Sequence, residues 1–274
     1  MSDNHDVSTA AIGESEAADR LGRVHGANEL QAAILALLLP AGSQRARRAW
    51  QIETTETPGA ETLRANTAAL AGPARLPWLE EFVARMATQP IAARQALLQS
   101  TRRVMGARGV ARPIDRLHWL AMRRGLGEGA PLAPRAEGKA EVAEWLESDV
   151  LAVAVYTAFL SRMVPGAEVD SDAGRAWYDA VMSTWQPFAE VPSWEPPNAE
   201  AMVEALARMQ TLSWMQRPVI VRAWMTTAQG QSRGLRLADL SADALRLSCT
   251  LLDSPVPPDL EKHYVTVPGG AASR

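Results

Sequence analysis

The stretch that decides the fold class is KAEVAEWLESDVLAVAVYTAFLSRMV, residues 139–164. Its β-branched, apolar centre is compatible with a buried strand when it is taken alone. Glu141, Glu144 and Glu147 recur every three residues before that centre, and the run is longer than an ordinary strand, which favours a helix. We therefore predict one long helix over about Lys139–Val164. Since no other stretch shows convincing strand alternation, the sequence predicts an all-α, multi-helix array.

The helices on either side of this stretch are predicted to form two units. Residues 27–126 contain several helices that begin near a proline and make up the first helical unit. Residues 138–260 make up the second, and the Gly/Pro-rich segment 126–137 is the predicted boundary. The polar, acidic residues 1–26 and the final residues 261–274 are predicted to be a flexible N-terminal segment and a flexible tail.

The composition is that of an ordinary globular protein. The chain has 274 residues, 47% of them hydrophobic and 22% charged, with a net charge of −3, so it has no overall attraction to nucleic acid or anionic lipid. Cys249 is the only cysteine, which excludes an internal disulfide and fits a reducing compartment. The apolar runs 32–39 and 150–160 are shorter than the roughly 20 residues of a membrane span. We expect a soluble, cytoplasmic protein.

Two tryptophan-containing surfaces are candidates for binding a protein partner. Placed on a helix of 3.6 residues per turn, residues 113–126 put an apolar face on one side and Arg116, Trp119 and Arg123 on the outer side. The second candidate is the proline-rich crossover 186–197 with its flanking tryptophans. The predicted partner-binding residues are therefore Arg116, Trp119, Arg123, Trp185 and Trp194.

Two other functions stay open as alternatives. A hydrolase with an unrecognised site could be built on His118, Asp115 and Cys249. A nucleic-acid binder could use the arginine excess between residues 102 and 124, although aromatic interleaving and a recognised motif are both lacking there. The seven arginines of that segment are Arg102, Arg103, Arg108, Arg112, Arg116, Arg123 and Arg124.

Motifs that would assign a reaction do not occur in the sequence. It contains no H-E-x-x-H, phosphate loop, G-x-G-x-x-G or G-x-S-x-G, and its four histidines lack metal-ligand spacing. We therefore assign no catalytic or metal-binding residue, expect no cofactor, and favour a non-catalytic interaction or regulatory module.

Two segments of the chain have similar sequence patterns. Residues 101–134 and 221–258 each read as a helix end, an Ala-x-Gly tripeptide, a polar loop, an aspartate near a helix start, a leucine-rich helix and a proline stop. The tripeptides are Ala107-Arg108-Gly109 and Ala228-Gln229-Gly230. Each segment would be a pair of helices whose apolar faces need a partner, and two such pairs can bury each other.

This pattern, with AAILALLLPAGSQRARRAWQ (32–51), RLPWLEEFVARM (75–86) and LLDSPVPPDL (251–260), resembles the tellurite-resistance-B-like (TerB-like) helical module. It is most similar to the C-terminal helical region of membrane-linked bacterial zinc metallopeptidases. The resemblance implies two helical-hairpin units and a non-catalytic role beside such a peptidase or a stress-response complex. Ala-Asp-Gly is usual at the hinges of that family, and Arg108 and Gln229 replace the acid here, so a cation-binding role is not implied.

Overall fold

The computed structural model describes residues 4–127, 144–165, 171–232, 236–265 and 267. Every regular element within these ranges is a helix, which confirms the predicted all-α class. Among these helices none combines the length and the apolar character that crossing a membrane requires. The helices are α1 (Asn4–Gly22), α2 (Ala27–Leu37), α3 (Gln44–Glu53), α4 (Ala60–Ala69), α5 (Gly72–Ala87), α6 (Ile91–Gly106), α7 (Pro113–Gly125), α8 (Glu147–Leu160), α9 (Ser171–Met182), α10 (Ala199–Gln210), α11 (Gln216–Gln231), α12 (Asp239–Leu252) and α13 (Pro258–Glu261).

The helices pack into two compact units, and each has its own core. The first unit holds α1–α6 with residues 125–127 and the described residues from Tyr264 onward, and the second holds α7 up to Arg124 and α8–α13. This division differs from the predicted one, in which α7 closed the first unit. One contact that joins α7 to the second unit is the hydrogen bond that the Arg124 guanidinium donates to the carbonyl oxygen of Leu251, on α12, at 2.9 Å. Most of the predicted boundary, residues 128–137, lies outside the described residues.

Helix α2 forms the centre of the first unit. Its side chains from Ala32 to Leu37 are all buried, and it packs against α3, α4, α5 and α6. The indole N–H of Trp50, on α3, donates to the carbonyl oxygen of Ala32 at 3.1 Å, so this buried tryptophan ties α3 to α2. The apolar run that the sequence showed at 32–39 is therefore a buried helix, as expected.

The N-terminal residues differ from the flexible segment predicted over 1–26. Helix α1 packs against α4, and its Ala17 and Leu21 are buried. Arg85 donates to the carbonyl oxygens of Gly22 and Val24, at 3.1 and 2.9 Å, and so satisfies the end of this helix. An alanine and a leucine four residues apart supply a narrow apolar stripe, which the polar composition of the segment concealed.

Helix α8 forms the centre of the second unit and is buried on nearly every side. It begins at Glu147 rather than Lys139, because residues 144–146 are not helical and the carboxylate of Asp149 accepts the backbone N–H of Leu146 at 3.2 Å. Residues 139–143 of the predicted helix lie outside the described residues. A helix that is apolar all round has no amphipathic period, which explains why this stretch resembled a strand in sequence.

Buried polar side chains on α8 each have a partner on a neighbouring helix of the second unit. The hydroxyl of Ser248 donates to the carbonyl oxygen of Ala244, so the Tyr156 hydroxyl, 3.0 Å away, donates to Ser248. The indole N–H of Trp224 donates to the Thr157 hydroxyl at 2.9 Å. These bonds fix α11 and α12 against α8, since a buried polar group without its partner is costly.

Arginine side chains satisfy the carbonyl groups at several helix ends. A guanidinium there supplies hydrogen bonds to carbonyls that have no partner within the helix, and its charge is favourable at the negative end of the helix dipole. In the first unit the pairs are Arg75 with Leu37, Arg85 with Gly22 and Val24, and Arg94 with Leu126; in the second they are Arg124 with Leu251 and Arg217 with Leu252. Lys139 and Lys262 are the only lysines in the sequence, so nearly all its positive charge is arginine. The contacts with helix ends are one structural reason for this preference.

The two Ala-x-Gly tripeptides have different conformations. Ala107-Arg108-Gly109 follows α6 as a turn, and Gly109 has a φ of +93°, which favours glycine. Ala228-Gln229-Gly230 lies inside α11 and continues the helix. The second tripeptide is therefore not a hinge. The sequence similarity between the two segments does not extend to their backbone conformation.

Replacing Gly230 by alanine should raise the free energy of unfolding by about 0.5–1 kcal/mol, because alanine is the better helix former. Among the described residues, and apart from its chain neighbours and the backbone of its own helix, no heavy atom lies within 4 Å of the position that its Cβ would occupy. Chemical denaturation of the purified chain measures the change. The matched variant Gly109→Ala should instead lose stability, since its φ is positive; a loss at Gly230 as well would show that this site needs a glycine conformation.

Candidate interaction surface

Helix α7 begins where the sequence predicts, at Pro113, and Asp115 fixes its first turn. One carboxylate oxygen of Asp115 accepts the backbone N–H of Arg112 at 2.8 Å, and the other pairs with the Arg112 guanidinium at 3.1 Å. The aspartate is buried, and both of its oxygens are used at the helix start. Its role in the fold is that of a helix cap.

The inner face of α7 is largely the predicted one. Ile114, Leu117 and Leu120 are buried, as is Met122, which widens that face. Arg116, Trp119 and Arg123 are all half-buried rather than fully outside. Neither Arg116 nor Arg123 pairs with a carboxylate in the described part of the chain. Among the described residues, these two positive charges have no ion-pair partner.

The C-terminal end of α12 is where α7, α10 and α11 meet in the second unit. The carbonyl oxygen of Leu251 accepts hydrogen bonds from Arg124 at 2.9 Å and from Gln210 at 2.7 Å. Arg217 of α11 donates to the carbonyl oxygen of Leu252 at 2.7 Å, and Arg124 also pairs with the carboxylate of Asp253. These bonds tie the end of α7 and the start of α11 to the same helix end.

The start of α11 exposes an apolar stripe that the sequence reasoning missed. Trp214 is 67% exposed, and Met215 and Val219 are also exposed. Ile220 and Trp224 lie on the opposite, buried side of the helix. A helical wheel drawn from those buried positions would have shown the stripe, because Met215 and Val219 are four residues apart and fall away from them.

The proline-rich crossover is held in place by its tryptophan and by α9. The indole N–H of Trp194 donates to the Ser161 hydroxyl at 2.8 Å, and the Tyr178 hydroxyl donates to the carbonyl oxygen of Pro192 at 2.7 Å. Trp185 is only 1% exposed and packs edge-on against Trp145, with ring centroids 5.7 Å apart. The prediction that Trp185 binds a partner is therefore corrected: it is a core residue. Trp194 is half-buried and supports the crossover.

The arginines proposed for nucleic-acid binding are divided between the two units. Arg102, Arg103 and Arg108 belong to the first unit, and the other four belong to the second. Arg103 forms a two-pronged pair with Glu53, at 2.5 and 2.7 Å, and the guanidinium holds the pKa of that carboxyl below its usual value. Arg112 and Arg124 are paired with Asp115 and Asp253. At least three of the seven charges thus already have a carboxylate.

The hydrolase alternative is given little support by the surroundings of its residues. Cys249 is fully buried in α12, and Asp115 is occupied as a helix cap. His118 is half-buried on α7. Among the described residues, no group of three or more His, Cys, Asp or Glu side chains is arranged to hold a metal ion. The hydrolase alternative therefore stays a prediction.

His263, which we expected in a flexible tail, is buried in the second unit. Arg236 donates to its Nδ1 at 3.3 Å, so its Nε2 carries the proton and donates to the carboxylate of Asp239 at 3.0 Å. Burial and the positive charge of Arg236 lower the pKa of His263, and Asp239 opposes them only in part. This contact anchors the chain after α13 to the start of α12.

We expect the neutral state of His263 to make stability pH-dependent. The folded chain has the lower pKa, so the unfolded chain binds more protons once the pH falls below its value of about 6.5. The stability that the neutral His263 provides is fully present above about pH 6.5 and is lost as the pH drops towards the folded-state pKa. Urea unfolding between about pH 7.5 and 5.5 should show a smaller decline for His263→Gln than for the native chain. The control is the same substitution at the exposed His25, which should leave the decline in stability unchanged. A decline unchanged by His263→Gln would contradict the role assigned to His263.

Comparison of the chain with known protein families, with curated proteins and with solved structures finds no significant match.

Proposed function

We propose that this protein is a non-catalytic helical module that binds and regulates a protein partner. The observation that carries the proposal is the combination of exposed tryptophan, methionine and valine at the start of α11 with the unneutralised arginines of α7. Tryptophan, methionine and arginine are enriched at protein interfaces, and most of the binding energy comes from a few such residues.

The use of the polar groups supports an interaction role over a reaction. Asp115 and Asp149 fix helix starts, Arg124 and Arg217 cover a helix end, and Tyr156 joins two helices. A catalytic group is usually held in a concave site with a perturbed pKa and room for a substrate. The side chains named here instead form hydrogen bonds that cap helix ends or join neighbouring helices.

The identity of the partner follows from the sequence resemblance and stays a proposal. A TerB-like module beside a membrane-linked bacterial peptidase would act in the cytoplasm, on the peptidase or on a stress-response complex. The helical tripeptide at Ala228-Gln229-Gly230 is a departure from that pattern, in addition to the missing acids. The module would bind through surface side chains, without a cofactor or metal.

The test is co-purification of the full chain from the cells that produce it. We expect a discrete protein in near-stoichiometric amount with the native chain and a reduced amount with Trp119→Ala. A matched replacement on another surface, Ile52→Ala, should leave recovery unchanged, since Ile52 is 73% exposed in the first unit. Recovery of no protein by any of the three chains would contradict the proposal. A measurable turnover that His118→Ala abolishes would replace it by the hydrolase alternative.

A further inference from the structure

A buried histidine lies at the point where the chain leaves the second unit. His263 is the last residue of that unit, and the described residues from Tyr264 onward belong to the first. The side chain of His263 is only 3% exposed. Arg236 contacts it from the segment before α12, and Asp239 contacts it from the start of α12. We call His263, Arg236 and Asp239 the His263 cluster.

The hydrogen bonds of this cluster require a neutral imidazole. The Nε of Arg236 donates to Nδ1 of His263 at 3.3 Å, and the Nη2 of the same guanidinium donates to the backbone carbonyl oxygen of His263. Nδ1 therefore keeps its lone pair, while Nε2 donates its proton to the carboxylate of Asp239 at 3.0 Å. A second proton, at Nδ1, would place an N–H against the N–H of a cation. The guanidinium would then have to withdraw from the ring and from the carbonyl group.

The surroundings of the ring favour its neutral form. Burial and the positive charge of Arg236 act in the same direction and hold the pKa of His263 below its usual value, although Asp239 opposes them. Asp243, one turn further along α12, is half-buried. The charged side chains of α13 and its C-cap are all exposed: Asp259, Glu261 and Lys262.

We propose that the His263 cluster is an acid-sensitive latch: a proton that binds Nδ1 from solvent removes the hydrogen bonds from Arg236 and frees the chain after α13 from the second unit. The opening is local, because Leu260 on α13 is fully buried and keeps that helix in place. The latch gives the protein a response to acid that is independent of partner binding.

The experiment is amide hydrogen exchange of the full chain at about pH 7.5 and 5.5, with each rate corrected for the intrinsic exchange rate at that pH. The amides of Lys262 and His263 report on the latch, since they donate to the carbonyl oxygens of Pro258 and Leu260, each at 3.1 Å. Their protection should fall by up to about tenfold at the lower pH, because the opened chain has the ordinary histidine pKa and binds more protons. Low concentrations of urea should not change their exchange, since a local opening exposes little surface.

Substitutions within the cluster separate a titrating latch from an ordinary buried contact. His263→Gln keeps a donor and an acceptor but does not titrate, so protection should be nearly equal at the two pH values. Asp239→Asn removes the attraction for a protonated ring and should enlarge the fall in protection, whereas Arg236→Gln removes the repulsion and should reduce it. His25→Gln, at an exposed position, is the matched control and should leave the fall unchanged.

Three results would overturn the inference. They are equal protection of the native chain at the two pH values, a fall that persists in His263→Gln, and a change in the same direction for Asp239→Asn and Arg236→Gln. Circular dichroism spectra that match the native spectrum at both pH values confirm that the variants are folded. The NMR titration of the His263 ring needs no variant: it should show a neutral ring at the higher pH, and a ring protonated there would also overturn the inference.

Discussion

The Trp224→Ala chain should lose about 3–5 kcal/mol of its free energy of unfolding, the largest effect that we expect from one substitution. Trp224 is fully buried, and its ring lies 5.7 Å from that of Tyr156. Removing the indole leaves a cavity between α8 and α11 and also leaves the Thr157 hydroxyl without its donor. Chemical denaturation followed by tryptophan fluorescence or circular dichroism measures the loss.

The matched control replaces a tryptophan that lies just before the start of α11. Trp214→Ala removes the same side chain from a position that is 67% exposed, and we expect a change within about 0.5 kcal/mol. Both variants replace one tryptophan by alanine and so have the same composition. A difference in their stability therefore reports whether the tryptophan is buried or exposed. Similar losses in both variants would show that Trp214 is packed, and would remove the apolar stripe from the proposed surface.

Replacing Gly174 by alanine should cost about 3 kcal/mol, at the upper end of ordinary overpacking. A Cβ at this position would lie 2.3 Å from the carbonyl oxygen of Ser161, so the start of α9 and the end of α8 would have to move apart. Ser161 also accepts the Trp194 indole N–H, and that contact would be strained as well. The helices need a glycine here because of the close approach of their backbones.

The control for this variant is Gly230→Ala, which makes the same chemical change inside α11 and should stabilise the chain. Opposite signs at the two sites would show that packing, and not helix propensity, decides the result at Gly174. A neutral effect of Gly174→Ala in chemical denaturation would contradict the close contact between α8 and α9.

Helix starts were predictable from sequence where a local signal decides them. Pro113 opens α7 as expected, and Asn198 caps α10 by accepting the backbone N–H of Ala201 at 2.9 Å. Serine is a typical capping residue, but α12 begins at Asp239, two residues before Ser241, and the buried Ser241 hydroxyl donates to the carbonyl oxygen of Met163. A capping residue and a buried donor have the same local sequence signature, and only the packing of α12 distinguishes them.

The candidate site was predictable only in part, because the exposure of a tryptophan depends on contacts that are distant in sequence. The face of α7 could be drawn from helical periodicity, and its buried side agrees with that drawing. Trp185, which was predicted to bind a partner, packs against Trp145 in the core, whereas Trp214, for which no role was predicted, is exposed. The convergence of Arg124 and Arg217 on α12 could not be read from sequence, since it depends on how three helices meet.

The most direct test of the account is site-specific photo-crosslinking in the cells that produce the protein. A benzophenone amino acid is placed at Val219, in the apolar stripe at the start of α11, or at Ile52, on α3; both positions are exposed. The account predicts a discrete crosslinked protein from position 219 and no such product from position 52. No crosslink from position 219, or the same product in equal yield from both positions, would contradict the claim that this chain binds a protein partner through that surface.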